Sequence, residues 1–378
     1  MRDETIITNA VLVLPDIAHH GTLIMRGGAI AEIQTGASAA PGAIDAEGDY
    51  LIPGVIDLHT DNLERQVQPR SNARWPSRSA VIAHDAQCAA AGVTTVLDAL
   101  CLGDLGFEKD RVRTFRDGMA DIDALSDAGA LRAEHFLHLR CEMPADDMLA
   151  LFEPVAEHPR VRMVSLMDHT PGVGQYFNLD YYRSLQRGLG LSDEAIERRI
   201  VELRCNRARL RGPNRRRVLA RLSGSGIAVA SHDDRTEAEV AENAADGIDV
   251  SEFPVTMGAA RAAKALGMAV IAGAPNIVRG GSHSGNVAAR DLVEARAVDA
   301  LASDYVPSSL VEAAFLCARR GLDLPGAIGL VTAAPAHIAR LHDRGRIAPG
   351  LRADLVRVRL HGDLAVVRAA WRAGERVA

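Results

Sequence analysis

Two side chains that bind divalent metals stand at the end of an apolar run. The stretch Leu51-Ile-Pro-Gly-Val-Ile-Asp-Leu-His59 predicts a buried β-strand, and Asp61 follows two residues later. In an extended chain, residues i and i+2 point to the same side. His59 and Asp61 can therefore converge on one ion at the carboxyl end of the strand.

Four more apolar runs end in a potential ligand. The run from His135 ends at Glu142, Val161–Asp168 leads to His169, Ile227–Ser231 leads to His232, and Ala300–Ser303 leads to Asp304. Active sites of (β/α)8 barrels lie at the carboxyl ends of the strands, so all six side chains can face one mouth. Three imidazoles and three carboxylates suit two divalent metals with open positions for a bridging water. Asp304 is also expected to accept the proton of that water.

A glycine-rich loop follows the seventh predicted strand. Its glycines let backbone N–H groups approach a ligand, and its polar side chains suit phosphoryl oxygens. The predicted substrate contacts in this loop are Asn276, Arg279, Ser282, His283 and Asn286. Further candidates for anion contacts are Asn62, Arg70 and Arg140. A surface loop of ordinary turn residues is the alternative interpretation.

Eight runs with strand character would position these side chains. They lie near 54–59, 94–100, 135–142, 161–169, 226–232, 248–253, 268–273 and 300–304, separated by helical patterns. Eight βα repeats predict an α/β fold, a (β/α)8 TIM barrel, over residues 53–342. Short strands in 1–52 (6–8, 10–14, 21–25 and 29–33) and in 343–378 predict a small β-sandwich built from both chain ends. A helical insertion, rich in arginine, is expected at about 172–222, as a solvated helix face or a lid.

Composition excludes several classes of protein. The chain has 378 residues, 48% of them apolar, and a net charge of −6, which gives no reason to expect nucleic-acid or membrane binding. Five scattered cysteines argue against a disulfide framework or a cysteine-rich zinc site. The N-terminus lacks signal-peptide character, and no run of about 18 apolar residues predicts a membrane span. We expect a cytoplasmic protein; whether it forms a homo-oligomer is left open.

These features resemble the amidohydrolase superfamily. Its characteristic motifs are matched here by Pro53–His59 at the start of the predicted barrel and by Gly345–Val356 after its end. Longer strings are similar to one branch, the triphosphate diphosphatases of the carbon–phosphorus lyase pathway of phosphonate catabolism. These strings are 59–64, 165–172, 231–234, 251–254, 273–286 and 302–305. The first of them adds Asn62 and Glu64 as substrate contacts. Two positions depart from the superfamily pattern: Asp61 replaces a histidine, and Glu142 stands where many members have a carboxylated lysine.

The resemblance implies hydrolysis of α-D-ribose 1-methylphosphonate 5-triphosphate to the 5-phosphate and pyrophosphate, by activated hydroxide attack on the α-phosphorus. Two divalent metals are implied, with zinc expected and manganese, iron or nickel as alternatives. Two other functions stay open at this point: hydrolysis of a cyclic amide or ester, and a non-catalytic scaffold of the same fold. Glu142, His169 and His232 fall on the third, fourth and fifth predicted strands, whereas the superfamily commonly places such ligands one strand later.

Overall fold

A computed structural model describes residues 4–70, 73–106, 110–282 and 286–378. Its strands are β1 Glu4–Val13, β2 Ala18–Arg26, β3 Ala29–Thr35, β4 Ile44–Asp45, β5 Tyr50–Pro53, β6 Val55–Thr60, β7 Val93–Leu102, β8 Glu134–Glu142, β9 Val161–Met167, β10 Ala228–His232, β11 Val250–Glu252, β12 Ala269–Gly273, β13 Ala300–Ala302, β14 Leu355–His361, β15 Leu364–Arg372 and β16 Glu375–Arg376. Its helices are α1 Asn62–Val67, α2 Ser77–Ala90, α3 Asp110–Asp127, α4 Met148–Phe152, α5 Leu179–Gly188, α6 Asp193–Leu222, α7 Glu237–Ala245, α8 Met257–Ala265, α9 Ala274–Arg279, α10 Ala289–Glu294, α11 Ser309–Arg319, α12 Leu324–Gly329 and α13 Ala333–Ile338.

The predicted barrel is confirmed. Strands β6 to β13 form one parallel sheet in sequence order, and a bridge between Thr60 and Asp304 joins its first and last strands. The eight strands are the eight that the sequence predicts, each within a few residues. Glu142 therefore does lie on the third strand, His169 follows the fourth, and His232 ends the fifth.

Both chain ends contribute to a second sheet, as expected. Its strand order is β16-β15-β14-β5-β1-β2-β3, with β4 paired to β1, and it encloses its own apolar core around Leu12, Leu51 and Trp371. The sequence predicted separate strands at 6–8 and 10–14, but these residues form the single strand β1. Its pairing shifts register at Asn9, whose φ is +52°, so a bulge rather than a turn separates the two halves.

Side chains inside the barrel change from apolar at one end to polar at the other. Small and branched residues such as Ala228, Val250 and Ala300 fill the interior. Side chains alternate between the two faces of a strand, so His232 lies on the same face as Ala228, and Glu252 on the same face as Val250. His232 and Glu252 stand at the carboxyl ends of their strands. A packed floor therefore supports a polar mouth.

A helical segment lies beside the mouth. It comprises a 3-10 helix (Gly174–Tyr176), α5 and the 30-residue α6, and the caps Asn178 and Ser192 begin α5 and α6. Arg207 of α6 donates to Asp168 (2.6 Å), and Arg199 donates to the Leu105 carbonyl (2.9 Å). These bonds tie α6 to the loops that follow the second and fourth barrel strands. Across the described part of the chain, no helix is both long and apolar enough to cross a membrane.

Candidate active site

Buried carboxylates orient three histidines at the mouth. Glu252, fully buried at the end of β11, accepts from Nδ1 of His59 on one oxygen and from Nδ1 of His232 on the other, each at 2.7 Å. Glu142 accepts from His169 Nδ1 at 2.6 Å and from its backbone N–H at 2.9 Å. Because each Nδ1 donates to a carboxylate, each Nε2 is the nitrogen left to face the mouth, and it can bind a metal once it has lost its proton. This is the carboxylate–histidine arrangement found behind metal ligands in proteins.

Electrostatics keep Glu252 charged despite its burial. Desolvation raises the pKa of this carboxyl, but the facing imidazole of His59 and the hydrogen bonds from His232 and His59 outweigh desolvation and hold the pKa well below its usual range. His138 is neutral, because burial lowers its pKa to about 3, and its Nδ1 donates to the Leu58 carbonyl at 3.0 Å. A third donor to Glu252 is the Ser165 hydroxyl, at 2.8 Å. The carboxylate is thus fixed from three sides.

The residues at the mouth include three groups that could hold a metal ion; one of them, His59, His138 and Glu252, is buried, and His138 and Glu252 do not line the cavity. His59, Asp61 and Asp304 have ligand atoms within 4.8 Å of one another, and so do His169, His232 and Asp233. His59 Nε2 is buried and has no hydrogen-bond partner. An unpartnered buried nitrogen is costly unless something coordinates it. Mixed nitrogen and oxygen donors at this spacing fit divalent transition metals.

Unusual backbone geometry aims some of these side chains. Asp233, Phe253 and Asp304 follow the fifth, sixth and eighth barrel strands with φ values of +56°, +53° and +54°. Each donates its backbone N–H to the next strand around the barrel at 2.9 Å, to Glu252, Ile271 and His59 respectively. Left-handed conformations of non-glycine residues are strained and concentrate at functional sites. Here they turn the chain at the rim while the sheet remains hydrogen-bonded.

The mouth opens into a cavity of about 490 Å³. All six predicted metal ligands line it, and so do four of the predicted substrate contacts: Arg140, Asn276, Ser282 and Asn286. The cavity also has an apolar wall that includes Leu185 of α5 and Leu189, the residue directly after that helix. Its volume suits a small organic ligand rather than a polymer.

Other predicted substrate contacts lie elsewhere. Asn62 is buried against α2, where its amide donates to His84 and Gln87, and Glu64 pairs with Arg111 Nε at 3.4 Å. Arg70 and Arg279 are exposed and do not line the cavity, because the first lies beyond α1 and the second ends α9 one turn past Asn276. His283 falls outside the described residues. Glu142 lines the cavity, but both of its oxygens hold His169, which favours an orienting role over the predicted ligation.

Sequence reasoning missed three residues of the site. Glu252 ends a predicted strand inside the string 251–254, so the rule applied to the other strand ends would have found it. Asp233 directly follows the predicted ligand His232 in the chain, and the structure places it in the second ligand group. Arg111 lines the cavity from α3 and carries no strand-end signal.

A separate buried network lies outside the mouth, between α2 and the strands β7 and β8. Asp98 accepts from His84 Nε2 (2.7 Å) and from His135 Nδ1 (2.8 Å), and His135 Nε2 donates to Asp85 (3.2 Å). Burial lowers the pKa of His135, but Asp98 and Asp85 outweigh burial and raise the pKa to about 9. The three side chains His84, Asp98 and His135 could also surround an ion. Their hydrogen bonds to one another already satisfy them, so the network acts as a structural anchor.

No protein-family model matches the chain. The α-D-ribose 1-methylphosphonate 5-triphosphate diphosphatase of Escherichia coli (strain K12) is 44% identical over 376 residues, which cover 98% of this chain and 100% of that protein. Among solved structures, an amidohydrolase (TM-score 0.64, 16% identity) covers 99% of this chain and 98% of its own. The 5-methylcytosine deaminase from Klebsiella pneumoniae (TM-score 0.64, 17% identity) covers 99% and 97%. The chain is a hydrolase of the ribose 1-methylphosphonate 5-triphosphate diphosphatase family, and it has the fold of the amidohydrolases that it resembles in structure.

Proposed function

We propose that this enzyme hydrolyses α-D-ribose 1-methylphosphonate 5-triphosphate to the 5-phosphate and pyrophosphate. The observation that carries the proposal is the pair of ligand groups facing one cavity, in a chain 44% identical over its whole length to a diphosphatase of that name. Two guanidinium groups on the cavity wall, Arg111 and Arg140, favour a polyanion over a cyclic amide. The expected cytoplasmic location stays a prediction.

Six residues of the site would hold metal ions, and one of them would also accept a proton. His59, Asp61 and Asp304 would hold one divalent cation, and His169, His232 and Asp233 a second, with zinc the expected metal. When bound, such cations lower the pKa of a water molecule and polarise a phosphoryl oxygen. Glu252 and Glu142 keep the imidazoles in the tautomer that presents Nε2 to the mouth.

Asp304 is the proposed general base. Its backbone is fixed on both sides, because its N–H donates to the His59 carbonyl (2.9 Å) and its carbonyl accepts from the Asp61 N–H (2.6 Å). The carboxylate can therefore accept the proton of a water molecule as that water attacks the α-phosphorus. The bond between the α-phosphorus and the oxygen that links it to the β-phosphorus breaks, and pyrophosphate leaves with that oxygen.

Phosphorus NMR in ¹⁸O-enriched water tests the proposal. We expect pyrophosphate as a product and the label in the sugar 5-phosphate, because the water attacks the α-phosphorus. Label in the released phosphates, or release of single phosphates, would overturn the proposed reaction.

Two variants test the residues. His232→Ala removes a ligand and Asp304→Asn removes the base, so each is expected to lower kcat by at least 100-fold, the lower range for loss of a general base. His361→Ala, an exposed imidazole on β14, is the matched control and should leave turnover unchanged. Near-normal turnover by either site variant contradicts the assignment.

A further inference from the structure

Positive charge is confined to one side of the active-site cavity. Of the described residues that line it, Arg111 and Arg140 are the only ones with a guanidinium or ammonium group. Arg111 begins α3, after the second barrel strand, and Arg140 lies on β8, the third strand. The seventh strand is opposite the third in an eight-stranded barrel, and it contributes neutral donors: Asn276, Ser282 and Asn286.

Both arginines are held at the metal-ligand side. Arg140 is buried, donates to Asp61 at 2.7 Å, and has an Nε with no hydrogen-bond partner. Arg111 pairs with Glu64 at 3.4 Å, and its side chain is about one-third exposed. Arg140 is thus tied directly to the metal-ligand group through Asp61, whereas Arg111 is paired with Glu64 and lines the cavity. Glu64 then acts as a positioning residue, although sequence analysis expected it to contact the substrate.

Resting on the proposed function, we propose that the substrate lies across the cavity in one direction, with its β- and γ-phosphates against Arg111 and Arg140 and its ribose against Asn276 and its neighbours. Negative charge develops on the leaving pyrophosphate as the bond breaks, and fixed guanidiniums stabilise it best where water is excluded. Sugar hydroxyls are neutral donors and acceptors, which amide and hydroxyl side chains match. Arg279, which the sequence predicted to contact the substrate, is exposed outside the cavity and takes no part.

Product inhibition of the metal-loaded enzyme tests this direction. The two probes are inorganic pyrophosphate and ribose 1-methylphosphonate 5-phosphate. Loss of one charge-assisted contact lowers affinity by about 10- to 100-fold. Arg111→Gln should therefore raise the Ki of pyrophosphate by that factor and leave the Ki of the sugar phosphate within about twofold.

Asn276→Ala should show the reverse pattern, with a rise of about 3- to 10-fold for the sugar phosphate alone, as expected for one neutral hydrogen bond. Arg279→Gln is the matched control and should change neither constant. Arg111→Lys keeps the positive charge but lacks the planar guanidinium, so an intermediate rise in the Ki of pyrophosphate is expected. Arg111→Lys replaces Arg111→Gln if the glutamine variant does not fold. Metal content is measured after each assay, because pyrophosphate binds divalent cations.

Two results overturn the proposed direction: a rise in the Ki of pyrophosphate for Arg279→Gln but not for Arg111→Gln, or equal rises for both probes in Arg111→Gln. Failure of the wild-type enzyme to release pyrophosphate would overturn the proposed function instead. The two failures are therefore distinguishable.

Discussion

Glu252→Gln tests whether one buried carboxylate serves both of the proposed metal positions. Its two oxygens each accept from a different histidine at 2.7 Å. Glutamine has nearly the same shape, but only one of its two terminal atoms can accept. Its amide N–H₂ would face one imidazole and force that ring's proton from Nδ1 to Nε2. The imidazole would then present an N–H to the mouth instead of a lone pair.

The expected loss of metal affinity follows from losing one of the two hydrogen bonds by which Glu252 orients His59 and His232. Such partners are worth about 10- to 100-fold in metal affinity each, or about 1.4 to 3 kcal/mol. We therefore expect one metal to bind 10- to 100-fold more weakly in Glu252→Gln and the other to change much less. Replacing the charge-assisted hydrogen bonds of the carboxylate by neutral ones also lowers the free energy of unfolding by about 1–3 kcal/mol.

Metal titration of chelator-treated protein, in competition with a chromogenic chelator, measures both affinities. Glu237→Gln, an exposed carboxylate in the first turn of α7, is the control for the charge change. If a folded Glu252→Gln protein binds both metals within threefold of the wild type, the shared-carboxylate reasoning is refuted.

Three further predictions concern stability and the segment beside the mouth. Because the folded pKa of His135 is raised to about 9, its contribution is fully present below about pH 6.5 and is lost as pH rises through 9. Urea unfolding of His135→Gln should thus differ from wild type by up to about 3 kcal/mol near pH 6 and by much less near pH 10; a pH-independent difference contradicts this. Gly54→Ala would place a methyl 2.2 Å from the Thr94 hydroxyl and should lower stability by about 1–3 kcal/mol, whereas Gly188→Ala, with nothing within 4 Å, should change it by less than about 0.5 kcal/mol in thermal unfolding. Arg207→Ala removes a partly exposed pair worth at most about 1 kcal/mol, so amide exchange in α6 should accelerate while Tm stays nearly constant; unchanged exchange would show that this pair does not hold the helix.

Local patterns in the chain were enough to predict the barrel and most of its mouth. A parallel strand buried on both faces is a short apolar run, and the polar residue that ends it must lie at the rim. His59, Asp61, His169, His232 and Asp304 were found in this way. Both terminal segments were likewise assigned to one small β-sandwich from their short strands, and in the structure they share one sheet.

The sequence did not predict the position of residues that depend on the orientation of a helix or on contacts between distant parts of the chain. Arg111 and Arg279 both belong to helices after barrel strands, yet one lines the cavity and the other is exposed, because the helix orientation decides which side faces the mouth. Asn62 follows a metal-ligand candidate directly but turns to His84, which lies 22 residues away in the chain.

The sequence by itself determined which chemistry the mouth holds, because strand ends and residue types are local properties. Only the tertiary structure decided which of these groups contact one another. It joined His59 and His232 through Glu252 across 193 and 20 residues of chain, and it gave Asp304 the backbone turn that closes the barrel beside His59. Contacts over such separations depend on how the strands meet once the barrel has closed, and no local pattern in the chain encodes which strand-end side chains then touch.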